Sequence, residues 1–410
     1  MAKKRIYVDY NATTPLSPEV KAAVIKDLEI YGNASSMHSD GRHAHARLEE
    51  ARKAVGDLIG APANTIIFTS GGSESNNMVF QTIRRLASGE TGALLPEGKP
   101  LAKGRTEIIT TAIEHPCVLN SAVYLKSLGF TVTFLPVDKY GKVVVDEYRK
   151  VLSEKTLFVS VMMANNEIGT IQDIQEIAAL AKAAGAWVHT DAVQAAGKIP
   201  VDVDALKVDY LTMSGHKIYG PKGVGALYVH SGAPLFPLIH GGHQEDGFRA
   251  GTYNNLGILG YGTAAVEAKK NLAAYEKEIR PLRNQLRDGL LAKVPNITIN
   301  GHPDDVLPNT LNVSFPGAEG ESILLGMDLN GIEASTGSAC ASGSLEPSHV
   351  LMAVGVGPEL AHGSIRFSLG WGVEKEDIEY IIETVPPIIA RFRAMSTVSS
   401  TPQAFPKEVQ

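Results

Sequence analysis

The stretch AWVHTDAVQAAGKIPVDVDALKVDYLTMSGHKIYG, residues 186–220, contains two short apolar runs, each of which ends in polar residues. The first run ends at Asp191, and the second, VDYLTMS, leads directly into His216 and Lys217. Runs of this length and composition, bounded by turn residues, predict β-strands. Ligands of open α/β sheets bind beyond the carboxyl ends of the strands, so we expect Asp191 and Lys217 to face one site.

Four further apolar runs precede this stretch and alternate with helix-patterned segments. They are TIIFTS, EIITTA, TVTFLPV and TLFVSVMM, at residues 65–70, 107–112, 131–137 and 156–163. Helices are predicted in NNMVFQTIRRL from residue 76, in EHPCVLNSAVYLKSLG with Pro116 in its first turn, and in IQDIQEIAALAKAAGA. Strands that alternate with helices predict a large, mostly parallel sheet wrapped by helices.

The remaining chain predicts a smaller α+β domain. A helical pattern over 256–293 is long enough to bridge two domains, and short strand and helix patterns follow, ending in a helix near 374–394. We therefore expect a large domain over 15–262, a small domain made of 1–14 and 263–395, and a flexible tail over 396–410. Residues 87–105, rich in Gly, Pro and charge, predict a surface loop.

The bulk composition excludes several classes of protein. The 410 residues carry 38 basic and 44 acidic side chains, a net charge of −6, so no basic surplus indicates nucleic acid as a partner. No apolar stretch approaches the length that spans a membrane. Two cysteines, Cys117 and Cys340, are too few for a disulfide framework. We expect a globular protein of the reducing cytoplasm.

Three strand ends together carry a recognisable chemistry. GGSES, residues 71–75, offers small residues and a hydroxyl at a helix start, where free N–H groups favour a phosphate; taken alone, it is more often a simple helix cap. Lys217 taken alone is a solvated surface amine. A phosphate cradle, a carboxylate at Asp191 and an amine at Lys217 are together what pyridoxal phosphate requires, because the lysine forms an imine and the carboxylate keeps the pyridine nitrogen protonated.

Cys340 lies in STGSACASGS, residues 335–344, where no large apolar side chain surrounds it. A structural cysteine is usually buried, whereas a reactive thiol needs access. The residues alone leave open whether this is a reactive cysteine or a loop cysteine without a role.

Ordered motifs along the chain add a family resemblance. They are YVDYNATTP, FTSGGSESNN, EHPCVL, NNEIGTIQDI, HTDAVQAAGK, SGHKIYGPKGVGALYV, GFRAGT and STGSACASGSLEPS, and with IRFSLG they cover residues 7–370. The chain resembles the cysteine desulfurases of the NifS and IscS type, in the class V aminotransferase branch of the fold-type I pyridoxal phosphate enzymes. The resemblance implies a seven-stranded sheet, a homodimer and L-cysteine as substrate.

The resemblance also implies roles for individual residues. Lys217 would be the Schiff-base lysine, Asp191 the partner of the pyridine nitrogen, and Cys340 the thiol that accepts sulfur. His115 would stack on the ring and move protons. The remaining contacts would be Gly72, Ser73, Ser214 and His216 on the phosphate, Thr252 on the phosphate of the neighbouring subunit, Asn166 and Gln194 on the ring oxygen or substrate, and Asn33 and Arg366 on the substrate carboxylate.

The implied reaction leaves L-alanine and a persulfide on Cys340, whose sulfur passes to an iron–sulfur scaffold or another acceptor. A selenocysteine lyase or other pyridoxal phosphate β-lyase would use the same pocket, and a non-catalytic sulfur-transfer adaptor is the alternative from another class. The chain departs from the family at HQED, where His243 precedes Gln244 and Asp246 replaces an arginine, and at GNASSMH, around Asn33. The first departure puts the details of the dimer contact and local pKa values in question, and the second weakens the assignment of Asn33 as a substrate contact.

The other histidines and the second cysteine that stand out in the sequence have ordinary structural interpretations. His38, His43 and His45 suggest a metal site, but side chains two positions apart on a helix diverge, so no metal is predicted. Cys117 is expected to pack against the sheet as a structural residue, and His349 to be packed or solvated.

Overall fold

The computed structural model describes residues 5–90, 104–336 and 346–395. Cys340 and the predicted tail over 396–410 lie outside these ranges. The predicted α/β architecture is confirmed, with a large sheet of seven strands and a second, four-stranded sheet. No described helix combines the length and apolarity that crossing a membrane demands.

The large sheet is mostly parallel. Its strands, in spatial order, are β2 (Ile66–Thr69), β8 (Gly225–Val229), β7 (Tyr210–Ser214), β6 (Trp187–Asp191), β5 (Thr156–Ser160), β3 (Glu107–Thr111) and β4 (Thr131–Leu135). Only β8 runs against its neighbours in this sheet. Because β5, β6 and β7 are parallel, the residues that follow them lie together beyond the carboxyl ends of these strands.

Helices surround this sheet and add buried side chains to the hydrophobic cores beside it. They are α1 (Pro18–Asp27), α2 (Ser39–Leu58), α3 (Gly72–Ala87), α4 (Pro116–Ser127), α5 (Val145–Val151), α6 (Ile174–Ala183) and α7 (Val203–Leu206). α3 begins at Gly72, four residues earlier than predicted. The Glu74 carboxylate in its first turn accepts the Ser70 N–H at 2.8 Å, an arrangement related to a capping box, so the polar GSES segment is helical.

The helix α8 (Asn255–Lys293) joins the two sheets. At 1.5 Å per residue it is about 58 Å long. Its first half buries Ile258, Leu259 and Tyr261 in the core of the large sheet, and its second half buries Ile279 and Leu286 in the core of the small one.

The small sheet is antiparallel. Its order is β12 (Ser335–Thr336), β13 (Ser364–Ser368), β10 (Thr310–Ser314) and β9 (Thr298–Asn300), and β1 (Ile6–Tyr7) pairs separately with β11 (Ile332–Glu333). The remaining helices are α9 (Gly320–Asp328), α10 (His349–Ala353), α11 (Pro358–His362) and α12 (Lys375–Met395). The bridge between Asp9 and Ser368 brings the N-terminal segment across β13 towards the large sheet.

A buried ion pair fixes the turn that departs from the family pattern. Glu245 and Asp246 both adopt left-handed backbone, with φ of 49° and 54°. Arg52 of α2 holds the Glu245 carboxylate with two contacts of 2.6 and 2.8 Å, and the Phe68 N–H donates to the same carboxylate at 2.9 Å. The turn is therefore tied to α2 and β2 through Glu245.

We expect Arg52→Met to lower the free energy of unfolding by about 3 kcal/mol, because it leaves the Glu245 carboxylate buried without its cation. The matched control is Lys53→Met on the same helix, whose ion pair with Asp57 is exposed and should cost less than about 1 kcal/mol. Urea denaturation of both variants measures the difference, and equal losses would refute the prediction.

Candidate active site

One cavity of about 260 Å³ lies at the edge of the large sheet where β6 and β7 end and α3 begins. Three other cavities, of about 370, 400 and 510 Å³, are larger, and the 400 Å³ cavity shares Lys217 with this one. The 260 Å³ cavity is the candidate site because it brings Lys217 together with Asp191 and the start of α3. Ten of the predicted site residues line it: Gly72, Ser73, His115, Asn166, Asp191, Gln194, Ser214, His216, Lys217 and Arg366.

Lys217 reaches the cavity from the short turn Gly215–Lys217 that follows β7. Its Nζ donates to the backbone oxygens of Asn11 and Ala12, at 2.5 and 2.8 Å. The N-terminal segment is in turn held on this turn, because Thr14 donates its N–H and its hydroxyl to the His216 oxygen. Neutral backbone carbonyl groups thus position the amine at the cavity wall.

Asp191 ends β6 and is 6% exposed. Asn76 donates its Nδ2–H to Asp191 Oδ2 at 2.7 Å, and the Val193 N–H donates to Oδ1 at 2.9 Å. These two donors fix the orientation of the carboxylate at the cavity wall.

The start of α3 supplies free backbone N–H groups beside the same cavity, at Gly72 and Ser73. The turn before the helix packs tightly on β8, since a Cβ at Gly225 would lie 2.6 Å from the Gly71 Cα. His216, which also lines the cavity, has a pKa lowered to about 4 by burial and by the nearby Lys217, Lys222 and Lys198. Its imidazole is therefore neutral at neutral pH, so one ring nitrogen can donate a hydrogen bond and the other can accept one.

His115 caps α4, where its Nδ1 accepts the Cys117 N–H at 3.2 Å. Burial lowers the pKa of His115, the Asp191 charge opposes that shift, and Lys217 and His349 add to it. The Cys117 Sγ lies 3.0 Å from His115 Nδ1 and 3.2 Å from Asn76 Nδ2. Cys117 packs against the core as predicted but also lines the cavity, and burial raises its thiol pKa to about 12, so the thiol stays protonated.

Arg366 reaches the cavity from β13 and is almost fully buried. Its Nη2 donates to Asp9 Oδ1 at 2.7 Å and its Nη1 to the Asn166 oxygen at 3.1 Å. Its Nε has no hydrogen-bond partner within the described part of the chain. A buried guanidinium with a spare donor suits a carboxylate ligand.

A buried carboxyl group supports the wall behind His115. Glu114 is fully buried; its Oε1 accepts the Thr111 hydroxyl at 2.7 Å and the Met162 N–H at 2.9 Å. Burial raises the Glu114 pKa to about 8, although those two donors lower it. His349, which sequence reasoning left as packed or solvated, approaches the Glu114 backbone oxygen with Nε2 at 2.9 Å.

We expect Glu114→Gln to gain stability over the native chain as pH rises. Because the folded-state pKa is raised, both states are protonated below about pH 4.5, and the native chain loses stability between about pH 4.5 and 8 as the unfolded state alone ionises. The glutamine variant lacks this loss, so the difference in free energy of unfolding should grow by roughly 2–4 kcal/mol from pH 5 to pH 8. Chemical denaturation at several pH values measures it.

The exposed Glu154→Gln is the control for this prediction, and its difference from the native chain should stay flat. A flat or falling difference for Glu114→Gln would contradict the raised pKa.

Three predicted site residues do not line the cavity within the described chain. Asn33 is exposed, and its Oδ1 accepts the Ser35 N–H at 2.9 Å. Thr252 is also exposed. Their contacts with substrate and with a neighbouring phosphate stay predictions. Cys340 lies outside the described residues.

The described residues on either side of Cys340 lie next to the cavity. Before it, Ser335 pairs with the cavity residue Arg366 in the sheet register. After it, Ser348 donates its hydroxyl to Glu167, the neighbour of the cavity residue Asn166. Burial raises the Glu167 pKa to about 7, and the Ser348 hydrogen bond and Arg366 lower it.

The cavity fits pyridoxal phosphate by its donor set. An amine, a fixed carboxylate and a helix start line one space, as this cofactor's aldehyde, ring nitrogen and phosphate need. Asn76 Oδ1 is buried without a partner in the described ranges, so the wall retains unused hydrogen-bonding capacity.

No cluster of three metal-ligating side chains occurs in the residues the structure covers. His38, from the histidine cluster, instead caps α2 by accepting the Gly41 N–H.

Sequence reasoning missed several residues of the site. Asn76 lies one turn after Gly72, so starting α3 at the glycine would have placed it on the cavity face. Asn11 was missed because nothing local shows that the N-terminal segment crosses the site. Lys198, a lysine with 2% exposure next to Gln194, was missed because lysines are rarely buried.

The chain is a class V aminotransferase by family: the sequence pattern of the "Aminotransferase class-V" family matches residues 6–381. The chain is 49% identical to the protein named cysteine desulfurase IscS of Dictyoglomus turgidum, over 96% of this chain and 97% of that one. The chain therefore belongs to the IscS and NifS family of cysteine desulfurases.

Solved structures agree with this placement. A NifS-like protein matches with a TM-score of 0.85 and 38% identity, covering 94% of this chain and all of the other. SspA, in a structure titled as a complex with cysteine, matches with a TM-score of 0.75 and 33% identity, covering 88% and 98% of the two chains.

Proposed function

We propose that this cysteine desulfurase removes sulfur from L-cysteine in the 260 Å³ cavity, with pyridoxal phosphate as its cofactor. The observation that carries the proposal is the convergence of Lys217 and Asp191, from two neighbouring strand ends, on one cavity with the start of α3. Bound there, pyridoxal phosphate supplies an aldehyde that condenses with amines and a ring that accepts electrons.

The chain's own residues would hold the cofactor at three points. Lys217 is the amine that binds the aldehyde, and Asp191 pairs with the ring nitrogen. His115 lies beside the ring, and Asn166 and Gln194 contact its oxygen or the substrate. The phosphate is held by the N–H groups at the start of α3, together with side chains from two elements: Gly72, Ser73, Ser214 and His216.

Substrate binding would use Arg366, and proton transfer would use Lys217 and His115. Arg366 holds the carboxylate of L-cysteine, and the family resemblance adds Asn33 to this contact. Asp9 and the Asn166 oxygen fix the guanidinium, so its planar group is oriented before substrate arrives. The Lys217 amine would take the Cα proton, and the His115 imidazole, whose pKa burial lowers, would accept or return a second proton.

The sulfur step would end on Cys340. Its thiolate attacks the sulfur of the bound substrate, the carbon–sulfur bond breaks, and a sulfur–sulfur bond forms. The substrate Cβ then gains a proton, so one L-cysteine and one thiol give one L-alanine and one persulfide, with no external oxidant or reductant. The contacts of Ser335 with Arg366 and of Ser348 with Glu167 support this assignment, because the described residues before and after Cys340 both lie beside cavity residues.

The protein would work as a homodimer that delivers this sulfur to an iron–sulfur scaffold or another acceptor. The exposure of Thr252 away from its own cavity supports a contact with a neighbouring subunit. A thiol that must stay free between turnovers suits the reducing cytoplasm.

The test is to supply the purified holoprotein with L-cysteine and a dithiol reductant, and to measure alanine, sulfide and pyruvate. We expect alanine and sulfide in equal amounts. Pyruvate and ammonia in place of alanine would instead indicate β-elimination, and the absence of any product would reject the proposal. L-serine, which lacks sulfur, serves as the control substrate.

A further inference from the structure

Lys198 is a buried lysine that none of the steps above uses. It follows β6 in the segment after Gln194 and is 2% exposed. No carboxylate lies within ion-pair distance of its Nζ in the described ranges. Burial and the positive charges of Lys217 and Arg366 hold its pKa well below the ordinary range. A buried amine without a counter-charge needs another reason to be there.

Two hydrogen bonds account for the amine. Lys198 Nζ donates to Gln194 Oε1 at 2.7 Å and to Asn11 Oδ1 at 3.1 Å. A lysine amine carries at least two N–H donors, so it can make both of these bonds. The acceptors are side-chain amides of two cavity-lining residues.

These bonds decide which way the amides face. With Gln194 Oε1 held by Lys198, Nε2 donates one hydrogen to the Asn11 backbone oxygen at 2.9 Å and keeps a second for the cavity. With Asn11 Oδ1 held by Lys198 and Asn309, its Nδ2 donates to the Asn166 oxygen at 3.1 Å. An amide rotated by 180° would place like groups together in both cases.

The same contacts reach the reactive amine. The Asn11 backbone oxygen, which accepts from Gln194, also accepts from Lys217 Nζ. Lys198 is thus connected to Lys217 by hydrogen bonds that run through Gln194 and Asn11.

We propose that Lys198 is a positioning residue for this site: its amine fixes the Gln194 and Asn11 amides so that a Gln194 N–H faces the oxygen acceptor of the bound cofactor. The inference rests on the proposed function for the identity of that cofactor, and on the hydrogen bonds of the chain itself for the geometry.

The test compares Lys198→Met, which keeps an unbranched chain but no donor, with Lys198→Gln, which keeps two neutral N–H donors. For Lys198→Met, we expect the dissociation constant of pyridoxal phosphate to rise about 10-fold, the size of one lost oriented hydrogen bond, with a shifted absorption maximum of the bound cofactor. Lys198→Gln should recover part of both. Unchanged affinity and spectrum in Lys198→Met would overturn the proposal.

A double-mutant cycle tests the route of the effect. If Lys198 acts through Gln194, Lys198→Met should add little to the loss caused by Gln194→Leu, whereas independent losses would multiply and refute the coupling. The structural control is Lys142→Met, which removes the partly buried lysine that bonds the Ile171 oxygen and Asp173. It should lower the melting temperature and leave cofactor affinity unchanged.

The outcomes separate this inference from the proposed function. Cofactor affinity is measured without turnover, so a native protein that binds pyridoxal phosphate but forms no alanine would reject the proposed function and leave the role of Lys198 to its own test. If Lys198→Met does not fold, Lys198→Gln carries the comparison: its cycle with Gln194→Leu should show coupling, and additivity would refute the inference.

Discussion

Replacing Lys217 with alanine is expected to lower alanine formation from L-cysteine by roughly 10⁴-fold, the upper range for the loss of a group that transfers protons in the transition state. The reason is geometric. Lys217 is the lysine whose Nζ is held on two backbone oxygens at the cavity wall, facing the edge where Asp191 ends β6. Lys217→Arg retains the positive charge and N–H donors but forms no stable imine, so it should lose as much.

Borohydride reduction separates binding from catalysis. In the native protein it should fix pyridoxal phosphate covalently to the peptide that carries Lys217, as read by mass spectrometry, and in Lys217→Ala it should not. The matched control is Lys155→Ala, an exposed lysine just before β5 at the opposite edge of the sheet. Full labelling of the Lys217→Ala chain at another lysine would reject the assignment.

Replacing Cys340 with alanine is expected to lower alanine and sulfide formation by at least about 10³-fold, because the nucleophile that accepts sulfur is lost. Cofactor binding should be unaffected, since the groups that line the cavity remain. The absorption spectrum of the holoprotein and the product assay together measure this. A selenocysteine lyase or other β-lyase would keep its turnover in this variant, so retained alanine formation would favour that reaction instead.

The two cysteines of the chain allow an internal comparison. After one turnover without reductant, alkylation and mass spectrometry should find the extra sulfur on Cys340. Cys117 lies in the cavity wall, but burial keeps its thiol protonated, with a pKa of about 12, and a protonated thiol is a poor nucleophile. Extra sulfur on Cys117 instead would overturn the assignment of Cys340.

Strand ends were predictable from the sequence because their signal is local. An apolar run followed by a polar residue placed Asp191 and Lys217, and the general rule for open α/β sheets brought them together. The motifs supplied the other eight cavity residues of the predicted set. The strand β8 was not predicted as a separate strand, because GALYV is short and follows a glycine-rich turn.

The residues that sequence reasoning missed depend on long-range packing. Asn11 is 206 positions from Lys217, and their contact exists because β1 and the Asp9 bridge carry the N-terminal segment across β13. Asn76 was hidden by starting α3 four residues too late. Thr252 is exposed, and its predicted contact is with a neighbouring subunit, so a single chain cannot test it. Asn33 is exposed as well, and its predicted contact with the substrate carboxylate stays a prediction.

The long helix α8 has a mechanical consequence. Its first half is a wall of one hydrophobic core and its second half a wall of the other. Each core needs its half of this continuous helix to bury its apolar side chains. Unfolding of one core would therefore expose apolar side chains of a helix that the other core still binds. We therefore expect the two hydrophobic cores to unfold together on heating. Cleavage of the backbone midway along α8 should destabilise both.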